Sequence, residues 1–236
     1  MPKIAVFNKS TSISNTAIMQ MMPIFEKQWN RDLSPTWGIE PARFSFVRKG
    51  QKPPRGAWWV LFLDWSDRRH AVAYHDLTNE GLPLAKVFVD TLLQDDVSVS
   101  VGATHEICEM AVDPWMNGGF LDPKKTFWAS EICDPVEDPK YGYVIDGLLV
   151  TDFVTPAWYS PKNARGKKDF AGRVRAPFTI LSAGYAQQYD NKTSKWKHVA
   201  GSDVRDSKRK TPPFGTRRER RARHWTKWIK SKPLTG

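Results

Sequence analysis

Cysteine is almost missing from this sequence: Cys108 and Cys133 are the only two among 236 residues. Two thiols build neither a disulfide framework nor a thiolate-rich metal site, so reduced thiols are expected, with pairing reserved for an oxidising compartment. Long apolar runs are lacking too. No stretch reaches the roughly 18 apolar residues of a membrane span, and the opening Met1 to Phe7 has no extended apolar segment of the signal-peptide kind. The expectation is a chain without a transmembrane segment, cytoplasmic or particle-associated, with export by another route left open. Gly118-Gly119 belongs to no P-loop or dinucleotide fingerprint, and there is no zinc-finger spacing, RNA-recognition signature or clear helix-turn-helix pattern.

Negative charge is scarce at one end only. Lys and Arg outnumber Asp and Glu by 36 to 25, a formal +11. Residues 1–161 nevertheless hold 15 basic against 20 acidic side chains, a net −5, while 162–236 hold 21 against 5, a net +16. The first section suits cation-dependent chemistry. The second suits nucleic acid, an anionic membrane or an acidic protein surface. This split divides the chain into a domain over 1–161 and a basic C-terminal extension over 162–236.

The pattern predicts strands at Lys3–Phe7, Phe44–Val47, Trp58–Trp65, Ala71–His75 and Lys86–Val89, rich in branched and aromatic side chains. Between the first two, Ser12–Asn15 caps a helix running to about Trp29, with Pro23 dividing it. Gly142 to Val150 reads as two short extended pieces around a Gly-containing turn. From Val101 to Val112 the spacing becomes helical, with Asp113-Pro114 as the stop. The fold class is α/β or α+β.

The informative run is Thr104-His105-Glu106-Ile107-Cys108-Glu109-Met110-Ala111-Val112-Asp113-Pro114. On a helix, His105, Glu109 and Asp113 recur every fourth residue and share roughly one face. An imidazole nitrogen with carboxylate oxygens suits zinc, and a carboxylate-rich set suits calcium or manganese. Glu106 points elsewhere, where it can polarise a metal-bound water, as the first Glu of a His-Glu-x-x-His motif does. Glu109 stands where that motif has its second histidine. A charged helix face without metal is the alternative on this run alone. Downstream, Glu131-Ile132-Cys133-Asp134-Pro135 adds oxygen ligands.

Taken together, Thr104-His105-Glu106-x-x-Glu109-x-x-x-Asp113-Pro114 and Glu131-Ile132-x-Asp134 resemble the His-Glu-x-x-Glu group of zincin-like proteins found among bacterial and phage sequences. They are more distantly similar to the motif of exordium-like secreted proteins. The resemblance spans approximately Lys3 to Tyr159. It implies a metzincin-like mixed sheet with an active-site helix, metal ligands at His105, Glu109 and Glu131, and Glu106 in the catalytic-base position. The function that follows is a metal-dependent hydrolase, such as a peptidase using metal-activated water, with Asp134 as a fourth ligand or as the group that holds the His105 tautomer. The competing reading is a structural or interaction protein of a phage-like particle on a non-catalytic zincin-like scaffold.

Secondary candidates are Asp64 and Asp67, and the run Tyr74-His75-Asp76. His75 and Asp76 can line the same cleft, and Tyr74 or His75 can steady an oxyanion; Tyr74 in the sheet core and Asp76 capping a turn is the plainer alternative. Tyr143 and Tyr159 have the chemistry to orient a substrate. In the basic section, Arg217, Arg218, Arg220, Arg221 and Arg223 can neutralise phosphates, with Trp225 and Trp228 stacking on bases or packing against protein.

Overall fold

Strand order decides where the site sits. The computed structural model describes residues 1–67, 71–160, 165–190 and 193–201. Strands β1 (Lys3–Asn8), β2 (Arg43–Val47), β3 (Trp58–Leu63), β4 (Ala73–Leu77) and β5 (Pro83–Phe88) form one sheet in the order β2-β1-β3-β5-β4. The first four in that order are parallel; β4 alone runs antiparallel, at the edge beside β5. Side-chain alternation sorts the two faces. Ile4, Val6, Val60, Phe62, Ala85 and Val87 enter the main core, while Ala5, Phe7, Val47 and Trp59 pack on the reverse side.

Helix α1 (Asn15–Lys27) starts at Ser14, whose hydroxyl accepts from the Ala17 N–H at 3.1 Å. Pro23 is carried inside α1 and does not divide it. The change comes at Gln28, where the chain widens into a π-helical turn over Gln28–Leu33 before α2 (Ser34–Trp37). That turn lets Gln28 donate to the Thr151 carbonyl at 2.9 Å. Helix α3 (Val89–Gln94) follows β5 directly, and α4 (Val99–Val112) then lies against β5 and β4. Gly102 permits the close approach of α4 to α3, since a Cβ there would stand 2.6 Å from Leu92 Cδ2.

Beyond α4, β6 (Gly119–Leu121) and β7 (Phe127–Ala129) form a hairpin, and β8 (Tyr143–Ile145) and β9 (Leu148–Val150) form another. The second hairpin matches the extended pieces read from the sequence. Its turn, Asp146-Gly147, has positive φ at both residues (48° and 83°), as a two-residue loop that follows strand twist requires. Strands β10 (Tyr185–Asp190) and β11 (Lys195–Ala200) complete an antiparallel sheet of order β11-β10-β7-β6.

The packing therefore continues past the charge break at residues 161 and 162. β10 pairs with β7, Asp169 bridges to Val154, and Leu181 N–H donates to the Pro135 carbonyl at 2.9 Å. Charge composition does not report on packing, and the described residues 165–190 and 193–201 pack with the earlier part of the chain although their section is basic. Arg217, Arg218, Arg220, Arg221, Arg223, Trp225 and Trp228 lie outside the described residues. The whole is a mixed α+β fold. No described helix is long and apolar enough to cross a membrane.

Candidate metal centre

Helix α4 is buried along almost its whole length, so its polar side chains must find partners inside the protein. Thr104 does so by bonding the Ser100 carbonyl at 2.7 Å and accepting from Thr151 N–H at 3.0 Å. His105 and Glu109 sit one turn apart, with His105 Nε2 3.4 Å from Glu109 Oε1. Asp134, at the start of a 3-10 turn, brings Oδ1 to 3.3 Å from the same nitrogen. Cys133 N–H donates to Glu109 Oε1 at 3.1 Å, which fixes the 131–134 segment against the helix.

Edge strand β4 adds a second imidazole. His75, 1% exposed, stands with Nδ1 3.2 Å from Glu106 Oε2 and 3.6 Å from Glu109 Oε2, and with Nε2 3.7 Å from Glu131 Oε2. Two groups of possible ligands result among the described residues: His75, Glu109 and Glu131, and His105, Glu109 and Asp134. Within each group the ligand atoms lie within 4.8 Å of one another. These five side chains and Glu106, with Tyr185 and Gln187 of β10, line a cavity of about 30 Å³. The cavity opens to solvent on one side, and its interior is about the volume of one water molecule.

Burial and the neighbouring charges pull these groups apart in acidity. Burial opposes charge on Glu109, but the adjacent His105 outweighs it and holds Glu109 at about 2. Burial, reinforced by the Glu109 charge, pushes Asp134 well above the usual carboxylate range. Burial disfavours the His105 imidazolium, yet Glu109 and Asp134 overcome it and raise His105 well above its ordinary value. The Tyr185 hydroxyl donates to Asp134, and burial keeps that hydroxyl protonated. Four carboxylates and two imidazoles thus share one buried site, whose negative charge is partly offset by the proton kept on Asp134 and the charge on His105.

The structure rearranges the sequence-predicted set. His105, Glu109, Glu131 and Asp134 do converge, and Glu106 lines the same cavity. Glu131 faces His75, not His105. Asp113, predicted on the ligand face, stands outside both groups because α4 ends at Val112 and the chain turns there. Its Oδ1 accepts from Asn117 and Gly118 N–H, each at 2.9 Å, and so organises the turn. Asp76 accepts from its neighbour Leu77 N–H at 2.9 Å. Asp64 accepts from Ser10 and from Thr11 N–H, anchoring the loop before α1.

The tyrosines predicted to orient substrate have hydrogen-bond partners of their own, and Tyr74 also lines the cavity. The Tyr74 hydroxyl donates to Asp67 at 2.8 Å and accepts from Lys86 Nζ at 2.7 Å. Tyr143 donates to Asp32 at 3.0 Å, and Tyr159 to the Ala129 carbonyl at 3.2 Å. Sequence reasoning missed His75 as a ligand, and missed Tyr185 and Gln187 altogether. No local signal marks the last two, since Tyr185-Ala186-Gln187-Gln188-Tyr189 does not alternate apolar with polar, and it is the pairing of β10 with β7 that brings them to the cavity. Both cysteines are free and buried. Comparison with protein-family models, with curated proteins and with solved structures finds no match.

Proposed function

We propose that this chain is a zincin-like metal-dependent hydrolase acting on a peptide or another amide, its cation held by His105, Glu109 and Asp134. The observation that carries this reading is the convergence of two imidazoles and four carboxylates on one cavity of about 30 Å³. Mixed nitrogen and oxygen donors favour zinc over calcium, which takes oxygen donors; the high carboxylate share also suits manganese. When bound, the cation supplies Lewis-acid polarisation and makes water more acidic. Glu106 then takes a proton from water and returns it to the departing amide nitrogen, while His75 Nδ1–H, 3.2 Å away, holds the Glu106 carboxylate in position. In Glu106→Gln, metal content should stay at the wild-type level while hydrolysis of an unfolded protein substrate falls about 100-fold or more. Simultaneous loss of metal would make Glu106 a ligand and remove it as the base.

A second reading is favoured by burial. Glu106, Glu109, Glu131 and Asp134 are all buried, and β10 lines the cavity beside them. A cation there would tie β4, α4, the 131–134 segment and β10 together, on the scaffold of a structural or interaction protein. Metal-loaded full chain that cleaves no peptide, yet melts earlier after chelation, would select this reading.

Attachment of the basic section to a polyanion, with nucleic acid as the leading partner, is a separate proposal supported by its +16 balance. The full chain should bind DNA or RNA with affinity that falls steeply as salt rises. Changing Arg217, Arg218, Arg220, Arg221 and Arg223 together to Gln should flatten that salt dependence. Unchanged affinity and slope would reject the arginine cluster as the contact.

A further inference from the structure

His75 is the side chain that a single-cation reading leaves unused as a ligand. Its Nδ1 lies between two carboxylate oxygens, Glu106 Oε2 at 3.2 Å and Glu109 Oε2 at 3.6 Å. Glu106 and Glu109 occupy the Nδ1 side of the ring, which leaves Nε2 as the nitrogen open to a further partner. That nitrogen is buried, makes no hydrogen bond among the described residues, and points toward Glu131 Oε2 at 3.7 Å. A buried acceptor left this way is costly unless something electropositive faces it. A carboxylate bonded to one imidazole nitrogen with the other aimed at further ligands is the arrangement that orients histidine on a metal.

Glu109 links this group to the first. Its two oxygens face opposite ways: Oε1 toward His105 Nε2 at 3.4 Å, Oε2 toward His75 at 3.6 Å. One carboxylate thus contributes to both ligand groups.

We propose that the centre takes two divalent cations, one between His105, Glu109 and Asp134 and a second between His75, Glu109 and Glu131, with the Glu109 carboxylate bridging them. The proposal rests on the metal-binding part of the functional reading above and extends it with a second site. The second cation uses no residue outside the cavity already described. It gives His75 and Glu131 a common purpose that substrate orientation does not.

The test is stoichiometry on the full chain. After chelation and removal of chelator, titration with Zn²⁺ followed by desalting and metal analysis should give two equivalents per chain. Loading with Mn²⁺ should give a spin-coupled electron paramagnetic resonance spectrum rather than the six-line pattern of isolated ions. Asp134→Asn and His75→Ala should each lower the count to one, and Glu109→Gln should weaken both sites at least tenfold. One equivalent in the wild type, with an uncoupled Mn²⁺ spectrum, would overturn the second site and leave the single-cation reading standing. No bound metal would overturn both. The wild-type count decides the matter even if a variant fails to fold.

Discussion

Returning a divalent cation to the chelated full chain should raise its Tm by about 10 °C, because a ligand at 1,000 times its Kd stabilises by about 4 kcal/mol and each kcal/mol moves a domain of this size by about 2–4 °C. The stabilisation arises because the cation binds ligands that are gathered only in the folded chain: His75 on an edge strand, Glu106 and Glu109 on α4, Glu131 and Asp134 on the segment after β7. An unfolded chain scatters those side chains and binds weakly. Binding must also displace the Asp134 proton that burial and Glu109 retain, so the increase in Tm should shrink in acid. Thermal denaturation with zinc or manganese against chelator measures it, and Glu109→Gln should lose most of the response. A melting curve indifferent to both ions would remove the metal centre.

A second large effect is expected at a different carboxyl pair. Asp152 and Asp169 are both fully buried and face each other where the 152–155 segment meets the 168–174 loop. Asp152 Oδ1 accepts from Phe153 and Ala171 N–H, and Asp169 from Arg173 and Val174 N–H. Burial, then the hydrogen bond and charge of Asp169, raise Asp152 from 3.8 to about 8. The folded chain therefore keeps a proton that the unfolded chain releases. Its contribution to stability is fully present below pH about 4, declines as pH rises, and is lost by about pH 8, with a ceiling on the order of 5 kcal/mol. Asp152→Asn retains the acceptor oxygen and supplies a permanent donor toward Asp169. The variant should overtake the wild type as pH rises from 5 to 8, measured by denaturant unfolding at each pH. Parallel stability curves across that range would show that no proton is held there.

Legibility in the sequence followed the physical origin of each element. The first three strands, β5, α4 and the β8–β9 hairpin were readable because local periodicity and turn chemistry determine them. Pro23 misled, since the helix absorbs it and changes geometry at Gln28 instead. At the site, His105 and Glu109 were legible because one helical turn relates them. Glu131 and Asp134 were legible as ligand types. Their partners were not, because pairing Glu131 with His75 depends on β4 running antiparallel beside β5, a long-range choice. Asp113 failed for a local reason: periodicity extrapolates past a helix end, whereas the backbone does not.

The candidate ligands come from residues 75 to 134, but Tyr185 and Gln187, which line the same cavity, lie more than a hundred residues after His75. Contacts between such distant parts of a chain form late, since the entropy of closing the intervening loops must be met first. During synthesis the ligand ring is therefore complete in sequence well before β10 leaves the ribosome. Until β10 docks on β7, the β10 side of that cavity is unformed. A cation offered to the nascent chain would therefore meet a more open ring than one offered to the finished fold.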